Sequence, residues 1–337
     1  MAIEEPLADI VLKHVGRETI ICTVLGKVQM TTILPTPILQ TPHGRLYEGD
    51  CLTVLKALPD RSADLAFADP PFNLSKSYPS KVDDNLPNAE YLEWCRSWLV
   101  ELVRILKPGG SLFLYNLPKW NLPLGAFLME RLTFRHWITV DMKYSLPIPK
   151  RLYPSNYSLL YFINGASPAI FHPDRLPIDC CRHCGGEQRD YGGYKDKMNP
   201  NGVNLTDVWS DIPPVRHQKY KRRTGNELSL KIMDRILSIA SDPDSVVVDP
   251  FGGSGTTYVA AELLGRQWIG VELDCTAIAE RFKNLSSDHE NLKKIQQAKN
   301  RLFTQQSLTL REQNGFSKGK YRIQHTLWDG SNNATSE

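Results

Sequence analysis

The sequence predicts an α/β fold in which a doubly wound, mostly parallel sheet carries helices on both faces. Short apolar runs alternate with amphipathic segments over residues 45–164 and again over residues 224–285. Strands that alternate with helices in this way are typical of βαβ units in a parallel sheet. The chain has 337 residues, of which 41% are hydrophobic and 23% charged, so it has ample apolar side chains for one large core.

The first block of this pattern predicts eight elements. Apolar positions recur at a helical period in YLEWCRSWLVELVRIL, whereas ADLAFA and SLFLYN are short apolar runs typical of buried strands. The sequence KPGG at 107–110 predicts the end of the long helix, because proline and glycine interrupt helices. In chain order the elements are strand RLYEGD, helix CLTVLKAL, strand ADLAFA, helix YLEWCRSWLVELVRIL, strand SLFLYN, helix LPLGAFLMERLTF, and strands HWITVDMKYS and NYSLLYFING.

The second block continues the same alternation. Its elements are helix NELSLKIMDRILSIA, strand SVVVDP, helix TTYVAAELLG, strand WIGVEL and helix TAIAERFKNL. Residues 165–223 separate the two blocks, lose the apolar periodicity and are too long for an ordinary loop, which indicates an inserted functional segment. The predicted organisation is therefore an N-terminal extension (1–44), one α/β domain (45–164 and 224–285), the insertion (165–223), and a C-terminal helix with a disordered tail (286–337).

Composition and charge exclude some locations and partners. No apolar run is long enough to span a bilayer, and the first residues, MAIEEPLADIV, are acidic where a signal peptide would be basic, so we expect a cytoplasmic protein without a membrane partner. The net charge of +3 is too small to indicate a polyanionic partner by itself. The seven cysteines do not form the evenly spaced framework of a secreted disulfide protein.

A glycine-rich turn lies between a predicted strand and a predicted helix, in the sequence VVVDPFGGSGTT. Its glycines allow a sharp turn and a close approach to a ligand, and Glu272 follows the next strand, where nucleotide sites hold ribose hydroxyls. The spacing is neither GxGxxG nor a phosphate-binding P-loop. Asp249 at the start of the turn suits a ligand with an ammonium and a sulfonium group, which indicates S-adenosylmethionine. The alternative is a tight strand-to-helix connection without a ligand.

The apolar strand ADLAFA ends abruptly in the DPPF tetrad (residues 69–72). Proline donates no ladder hydrogen bond, so the sheet cannot continue there. Asp69 and the Pro70 carbonyl could accept hydrogen bonds from the exocyclic amino group of a nucleobase and direct its lone pair at a sulfonium methyl group. Phe72 offers a flat face on which a base flipped out of a duplex could stack. The alternative is a proline turn with a surface aspartate.

Together, the DPPF tetrad and the later FGGSGTT sequence resemble the DNA amino-methyltransferases, which modify adenine N6 or cytosine N4. The tetrad precedes the cofactor loop, as in the permuted β group, and the resemblance covers roughly residues 45–285. It implies a Rossmann-like, S-adenosylmethionine-dependent catalytic domain. It also implies catalytic residues Asp69, Pro70, Pro71 and Phe72 and cofactor-binding residues Asp50, Asp249, Phe251, Gly253, Gly255, Thr256 and Glu272.

The chain departs from that family pattern at two places, whereas EGDCL, which contains Asp50, matches it. Phe72 replaces the more usual tyrosine, which keeps the stacking face and loses a hydroxyl. The stretch HQKYKRRTGNELSL replaces a Pro-Thr-Gln-Lys-Pro-like sequence, so the contacts of Asn226 and Glu227 stay open. Asp50 fits an N-cap of the following helix as well as it fits a contact to the cofactor adenine, and the two roles could coexist.

The insertion carries the residues expected to meet DNA. Basic side chains with interleaved aromatics suit phosphate contact, and target recognition in the family usually lies in this segment, although a solvated charged loop is the alternative. A Cys-x-x-Cys pair, Cys181 and Cys184, has no second pair to complete a zinc site, so we predict no metal. The predicted DNA-binding residues are Arg216, Lys219, Lys221, Arg222 and Arg223.

These observations lead to a site-specific DNA methyltransferase that acts on adenine N6 in double-stranded DNA. Cytosine N4 is the alternative, because the chemistry is the same and Asp69 at the head of the tetrad favours adenine only by resemblance. Methylation of cytosine C5 is disfavoured, since it needs a cysteine nucleophile, usually in Pro-Cys, and the chain has no Pro-Cys. A protein-glutamine methyltransferase would open its tetrad with asparagine. The resemblance also allows a homodimer and a cognate restriction endonuclease.

Overall fold

The structure is a computed structural model, and it describes part of the chain. Within that part, three strands near the N-terminus form an antiparallel sheet in the order β1-β2-β3: β1 (Val11–His14), β2 (Thr19–Val24) and β3 (Lys27–Thr32). The sequence showed no periodic signal there. The described residues are 11–14, 19–24, 27–32, 34–75, 84–141, 150, 152, 155–173, 175–176, 192–193, 197, 203–212, 227–298 and 313.

One large mixed sheet organises most of the described residues. Five of its strands run parallel in the order β7-β6-β13-β14-β5, and antiparallel strands flank them on both sides. The full order is β12-β8-β9-β7-β6-β13-β14-β5-β4. Its strands are β4 (Leu39–Gln40), β5 (Gly44–Glu48), β6 (Ala63–Ala68), β7 (Leu106–Asn116), β8 (Thr133–Asp141), β9 (Asn156–Ile163), β12 (Val208–Trp209), β13 (Val246–Asp249) and β14 (Gln267–Glu272).

Helices cover both faces of this sheet, as alternate residues of β14 show. Ile269 and Val271 pack with the core formed by the first three helices, whereas the ring of Trp268 stacks on Tyr258 of α5 with centroids 5.1 Å apart. The prediction of a doubly wound, mostly parallel α/β fold is therefore confirmed. The helices are α1 (Cys51–Ala57), α2 (Asn88–Ile105), α3 (Pro118–Met129), α4 (Leu230–Ala240), α5 (Thr256–Leu263), α6 (Thr276–Phe282) and α7 (Ser286–Ala298).

Element boundaries differ from the sequence prediction around residues 106–110 and at both ends of helix α3, among other places. The KPGG sequence does end helix α2, but residues 107–110 lie within β7, which starts directly after the helix at Leu106. The prediction of a helix over LPLGAFLMERLTF was wrong at both ends. Proline at the first position starts α3 at Pro118, and Thr133 and Phe134 already belong to β8.

The chain divides into two compact units. The first comprises residues 1–172 and 207–292, and the second comprises residues 173–206 and 293–337. In the second unit, β10 (Arg175–Leu176) pairs with β11 (Val203–Asn204) in antiparallel fashion. Strand β12, which the sequence places in the insertion, belongs to the large sheet. None of the helices in the described residues is long and apolar enough to cross a membrane.

Candidate active site

The parallel strands of the large sheet deliver polar groups to one edge. The carboxyl ends of parallel strands meet on the same side of a sheet, and ligands of open α/β sheets bind there. The tetrad follows β6, and the glycine loop (residues 251–255) follows the neighbouring strand β13. The predicted catalytic and cofactor-binding residues therefore lie on adjacent strands although they are far apart in sequence. The acidic residues at this edge are Asp50, Asp69, Asp249 and Glu272.

Hydrogen bonds from two helices fix the backbone of the tetrad. The Tyr91 hydroxyl of α2 donates to the Pro71 carbonyl at 2.6 Å, and Nε1 of Trp120 in α3 donates to the Phe72 carbonyl at 2.7 Å. Both donors belong to buried side chains. In the described part of the chain, no hydrogen bond reaches the carbonyl of Pro70. Among these contacts the Pro70 carbonyl stays available to a ligand, and it is the backbone acceptor that the sequence predicts.

The charge of the Asp69 carboxylate acts on two neighbouring groups, Tyr115 and Asp249. Burial, and then the charge of Asp69, raise the pKa of Tyr115 well above its usual range. The same charge contributes to a raised pKa at Asp249, whose strand precedes the glycine loop. Asp69 is therefore within electrostatic range of both Tyr115 and Asp249. This position suits an acceptor that holds an amino group facing a donor bound at the loop.

Three aromatic rings stand together beside Asp69. The ring centroid of Phe72 lies 6.1 Å from that of Tyr115 and 5.8 Å from that of Tyr157, and those two tyrosines are 5.2 Å apart. Tyr115 is buried, whereas Phe72 and Tyr157 are half-buried. An aromatic surface of this kind offers stacking area to a planar base.

A clamp of hydrogen bonds closes the chain just after the tetrad. The Asp84 carboxylate accepts from the backbone amides of Asn73 at 2.7 Å and Leu74 at 3.1 Å. The Asn73 side chain in turn exchanges two hydrogen bonds with the backbone of Leu86, at 2.7 and 2.8 Å. Asn73 has a φ of 53°, in the left-handed region that asparagine tolerates better than most residues. This Asn73–Asp84 clamp holds the exit of the tetrad in place.

Glycine is required at two positions of the glycine loop. Gly253 and Gly255 have φ values of 57° and 75°, in the left-handed region where other residues are strained, and Gly255 caps the start of α5. The backbone amide of Gly253 donates to the Glu272 carboxylate, which links the loop to the end of β14. The ring of Phe251 packs on Trp98 of α2 with centroids 4.9 Å apart. The loop and the predicted ribose-binding acid therefore form one connected unit.

Asp249 is buried beneath this loop, with 2% of its surface exposed. Burial raises its pKa well above the usual range, and the charges of Asp69 and Glu272 raise it further. Hydrogen bonds from the Thr257 side chain and the Phe251 amide, the latter at 2.9 Å, lower it in part. A cation placed at the loop would favour the ionised carboxylate, so this acid suits a positively charged ligand.

A buried ion pair supports the glycine loop from behind. Arg281 of α6 donates to the Ser254 carbonyl at 2.8 Å and to the Thr256 hydroxyl at 3.1 Å, and its other nitrogens meet Asp288 in a bidentate pair. The Thr256 hydroxyl also donates to the Leu228 carbonyl. The hydroxyl of Thr256, a predicted cofactor-binding residue, therefore stabilises the glycine loop through hydrogen bonds within the protein.

Asp50 acts as the N-cap of α1, and its carboxylate accepts from the Thr53 amide at 3.2 Å. Its residue is exposed at the same sheet edge, so the capping role leaves room for a ligand contact. The N-cap role of Asp50 is thus compatible with a contact to the cofactor adenine.

Comparison with known proteins identifies the family. A sequence profile for DNA methylases of the N6/N4 class matches residues 63–283, which include the tetrad, the glycine loop and Glu272. The chain belongs to this DNA methylase family. The resemblance to amino-methyltransferases of the adenine-N6 and cytosine-N4 class is thereby confirmed.

Individual members of the DNA methylase family show how far the likeness extends. The type II methyltransferase M.BamHI of Bacillus amyloliquefaciens is 54% identical over 280 residues, which are 83% of this chain and 66% of M.BamHI. The chain thus spans about two thirds of that relative's length. M.ScaI of Streptomyces caespitosus is 29% identical over 253 residues, 71% of this chain and 80% of M.ScaI.

A solved structure shares the fold of this DNA methylase. The PvuII DNA methyltransferase (cytosine-N4-specific) superimposes with a TM-score of 0.53 and 22% identity, covering 78% of this chain and 94% of its own. At this identity the likeness speaks for the fold alone, and it agrees with the doubly wound sheet described above.

Several predicted residues fall outside the described residues. The basic residues Arg216, Lys219, Lys221, Arg222 and Arg223 are among them, and so are Cys181 and Cys184. Their roles stay predictions. Within the described residues, no group of three or more histidine, cysteine or acidic side chains is arranged to hold a metal ion.

Sequence patterns do not indicate the side chains that support the site. Tyr91 and Trp120 hold the tetrad carbonyls, Asp84 holds its exit, and Arg281 holds the glycine loop. Three of them lie on helices, where a tyrosine, a tryptophan or an arginine is an ordinary choice for packing or solvation. Only the fold brings them to the site, so a motif search has no signal to find them.

Proposed function

We propose that this chain transfers a methyl group from S-adenosylmethionine to the exocyclic amino group of a base in double-stranded DNA. The observation that carries the proposal is the pair of acceptors at the sheet edge. Asp69 interacts electrostatically with Asp249 at the start of the glycine loop, and the neighbouring Pro70 carbonyl accepts no hydrogen bond from the described residues, in a member of the DNA methylase family. S-adenosylmethionine supplies an electrophilic methyl group when it is bound.

The residues of the glycine edge fit that cofactor. The left-handed turns at Gly253 and Gly255 bring backbone close to a ligand, and Glu272 at the end of β14 has the position of a ribose-binding acid. The raised pKa of Asp249 suits an acid whose ionised form is completed by a bound cation. Asp50, Phe251 and Thr256 complete the proposed cofactor set.

Asp69 and Pro70 act on the second substrate. The lone pair of a nucleobase amino group is delocalised into the ring and is a poor nucleophile. Two acceptors on its hydrogens draw the nitrogen towards a tetrahedral geometry, which points the lone pair at the methyl group. Phe72 supports the flipped base by stacking, and the acidic ammonium product loses its proton readily, so Asp69 need not be a strong base.

Adenine N6 is the proposed target, and cytosine N4 is the alternative. The aspartate at the head of the tetrad favours adenine by resemblance, whereas the two acceptors serve either amino group equally well. The deciding experiment expresses the chain in a host that lacks its own DNA methylation, then digests the DNA and identifies the nucleosides by mass spectrometry. N6-methyladenine is the expected product. N4-methylcytosine would change the proposed target to cytosine N4. Unmodified DNA would refute the proposed methyl transfer to DNA.

Double-stranded DNA is the proposed partner, and the cytoplasm is the proposed location. The residues proposed to contact the DNA phosphates are those of the basic segment (residues 216–223). The type II names of M.BamHI and M.ScaI support a restriction-modification context, with a cognate endonuclease and a homodimer as further proposals.

The stacking role of Phe72 gives a first prediction. We expect Phe72→Ala to weaken productive DNA binding by about 1–3 kcal/mol, because a stacking face of that value is lost, whereas Phe72→Tyr keeps the ring and stays close to wild type. The measurement is KM for DNA at saturating cofactor, with cofactor affinity as the control. Equal damage from both variants would contradict stacking.

The raised pKa of Asp249 gives a prediction about pH. A cationic ligand favours the ionised carboxylate, so its binding releases the proton that the raised pKa retains. We expect S-adenosylmethionine affinity to fall as pH drops through that raised pKa. Calorimetry over a pH series, in buffers with different ionisation enthalpies, measures both the affinity and the released proton. Asp249→Asn should bind more weakly and without this pH dependence, and a flat profile in the wild type would refute the linkage.

A further inference from the structure

The donor that holds the Pro71 carbonyl is itself held in one orientation. A carbonyl oxygen only accepts, so the Tyr91 hydroxyl is the donor to Pro71, and its lone pairs can accept from another group. Nδ2 of Asn116, at the end of β7, donates to the Tyr91 hydroxyl at 3.0 Å. The Tyr91 hydroxyl therefore directs its hydrogen at the Pro71 carbonyl, and the two oxygen atoms are 2.6 Å apart.

Burial maintains this arrangement. Tyr91 is 2% exposed and Asn116 is fully buried, so water does not compete for either group. Burial raises the pKa of Tyr91 above its ordinary value, so the hydroxyl keeps its proton. The backbone amide of Leu117 donates to Oδ1 of Asn116 at 2.7 Å, which identifies the other end of the amide as the donor. Each hydrogen bond of this relay thus fixes the direction of the next.

Trp120 performs the same task for the next carbonyl without such a relay. The indole Nε1 only donates, and it donates to the Phe72 carbonyl at 2.7 Å. The Trp120 ring also packs against the Tyr91 ring with centroids 4.6 Å apart, so the two donors form one buried unit. The Phe72–Asn73 peptide unit is also held from its other side, because the Asn73 amide donates to Asp84 at 2.7 Å.

We propose that Asn116, Tyr91 and Trp120 are positioning residues that hold the Pro71 and Phe72 carbonyls, so that the Pro70 carbonyl is the backbone acceptor presented to the substrate amino group. This inference rests on the proposed function and specifies its geometry. The three side chains act through the tetrad backbone, and the effect of losing them should fall on the methyl-transfer step. Binding of cofactor and of DNA uses other groups and should stay close to wild type.

The test compares isosteric variants in single-turnover assays on methylatable DNA. Tyr91→Phe keeps the ring packing and removes the donor, and we expect the transfer rate to fall about tenfold, as for the loss of one buried hydrogen bond. Trp120→Phe removes Nε1 and should act in the same direction. Tyr161→Phe is the matched control, because Tyr161 is a buried tyrosine whose hydroxyl contacts Ser111 and not the tetrad.

Asn116→Asp provides a second, independent variant. A carboxylate at that position only accepts, so the Tyr91 hydroxyl would turn towards it and release the Pro71 carbonyl. We expect the transfer rate of Asn116→Asp to fall as in Tyr91→Phe. The rate of the double variant Tyr91→Phe, Asn116→Asp should be no lower than that of either single variant. Thermal unfolding and cofactor affinity, measured on every variant, separate a loss of folding from a loss of positioning.

The outcomes distinguish this inference from the proposed function. A wild-type protein that transfers no methyl group to DNA would overturn the proposed function. An active wild type whose Tyr91→Phe variant keeps its rate would overturn the positioning role, and so would fully additive losses in the Tyr91→Phe, Asn116→Asp pair. A reduced rate with unchanged cofactor and DNA affinity would support it, provided that Tyr161→Phe behaves as wild type.

Discussion

Replacing Asp69 with alanine should reduce methyl transfer by at least about 10²–10³-fold, the usual effect of removing one preorganised group from a charge-stabilising site. Cofactor affinity should stay close to wild type, because Asp69 belongs to the tetrad and the cofactor residues follow other strands. Single-turnover transfer and calorimetric cofactor binding measure the two quantities separately. Loss of cofactor binding along with transfer would contradict the role assigned to Asp69.

Two further variants sharpen this test. Asp69→Asn keeps the shape of the side chain and removes its charge, so it should lose nearly as much transfer as alanine. It should also move the pH dependence of cofactor binding to lower pH, because the charge of Asp69 helps to raise the pKa of Asp249. Asp60→Asn is the matched control, since Asp60 is an exposed aspartate that pairs with Arg104 away from the tetrad.

Replacing Arg281 with methionine should lower the free energy of unfolding by about 3–5 kcal/mol, because the change breaks a buried ion pair by removing its cation. Both side chains of the pair are nearly inaccessible, at 5% and 7% exposure. Denaturant unfolding monitored by circular dichroism measures the loss. The Ser254 carbonyl also loses its donor, so the variant should bind S-adenosylmethionine more weakly at temperatures where it is folded.

A double variant separates stability from function at this position. Arg281→Met combined with Asp288→Leu removes both charges, and replacing a buried pair with apolar groups is often neutral or stabilising. We expect it to recover most of the unfolding free energy. Cofactor affinity should remain reduced, since nothing replaces the hydrogen bonds to Ser254 and Thr256. Full recovery of affinity would show that Arg281 acts through stability alone.

The sequence predicts this fold well where local pattern and tertiary environment agree. Residues 63–68 form a strand with the predicted limits, because an apolar run bounded by prolines has few alternatives. The strand at residues 107–110 is harder to predict, since KPGG ends a helix and here also lies within the first part of β7. The strands of residues 11–32 carry no distinct alternation, and the sequence left them unassigned.

The same contrast holds for the site. The tetrad and the glycine loop are contiguous motifs whose chemistry can be derived from residue types and order. Tyr91, Asn116 and Trp120 act through hydrogen bonds to residues 20 to 48 positions away, and such pairs become visible only when the sheet and helices are assembled. Which amino group is methylated depends on the shape of the base pocket, and the acceptors themselves do not encode it.

The Asn73–Asp84 clamp has a consequence for the chain that it encloses. Asp84 takes up the amides at residues 73 and 74, and its own carbonyl accepts from the amide of Ser75 at 2.7 Å, so the two ends of residues 75–84 are already joined. The entropy of closing that loop is then spent during folding and not during substrate binding. A ligand that reaches the tetrad therefore meets an exit that is already ordered, and its binding free energy is not reduced by the cost of joining these two ends.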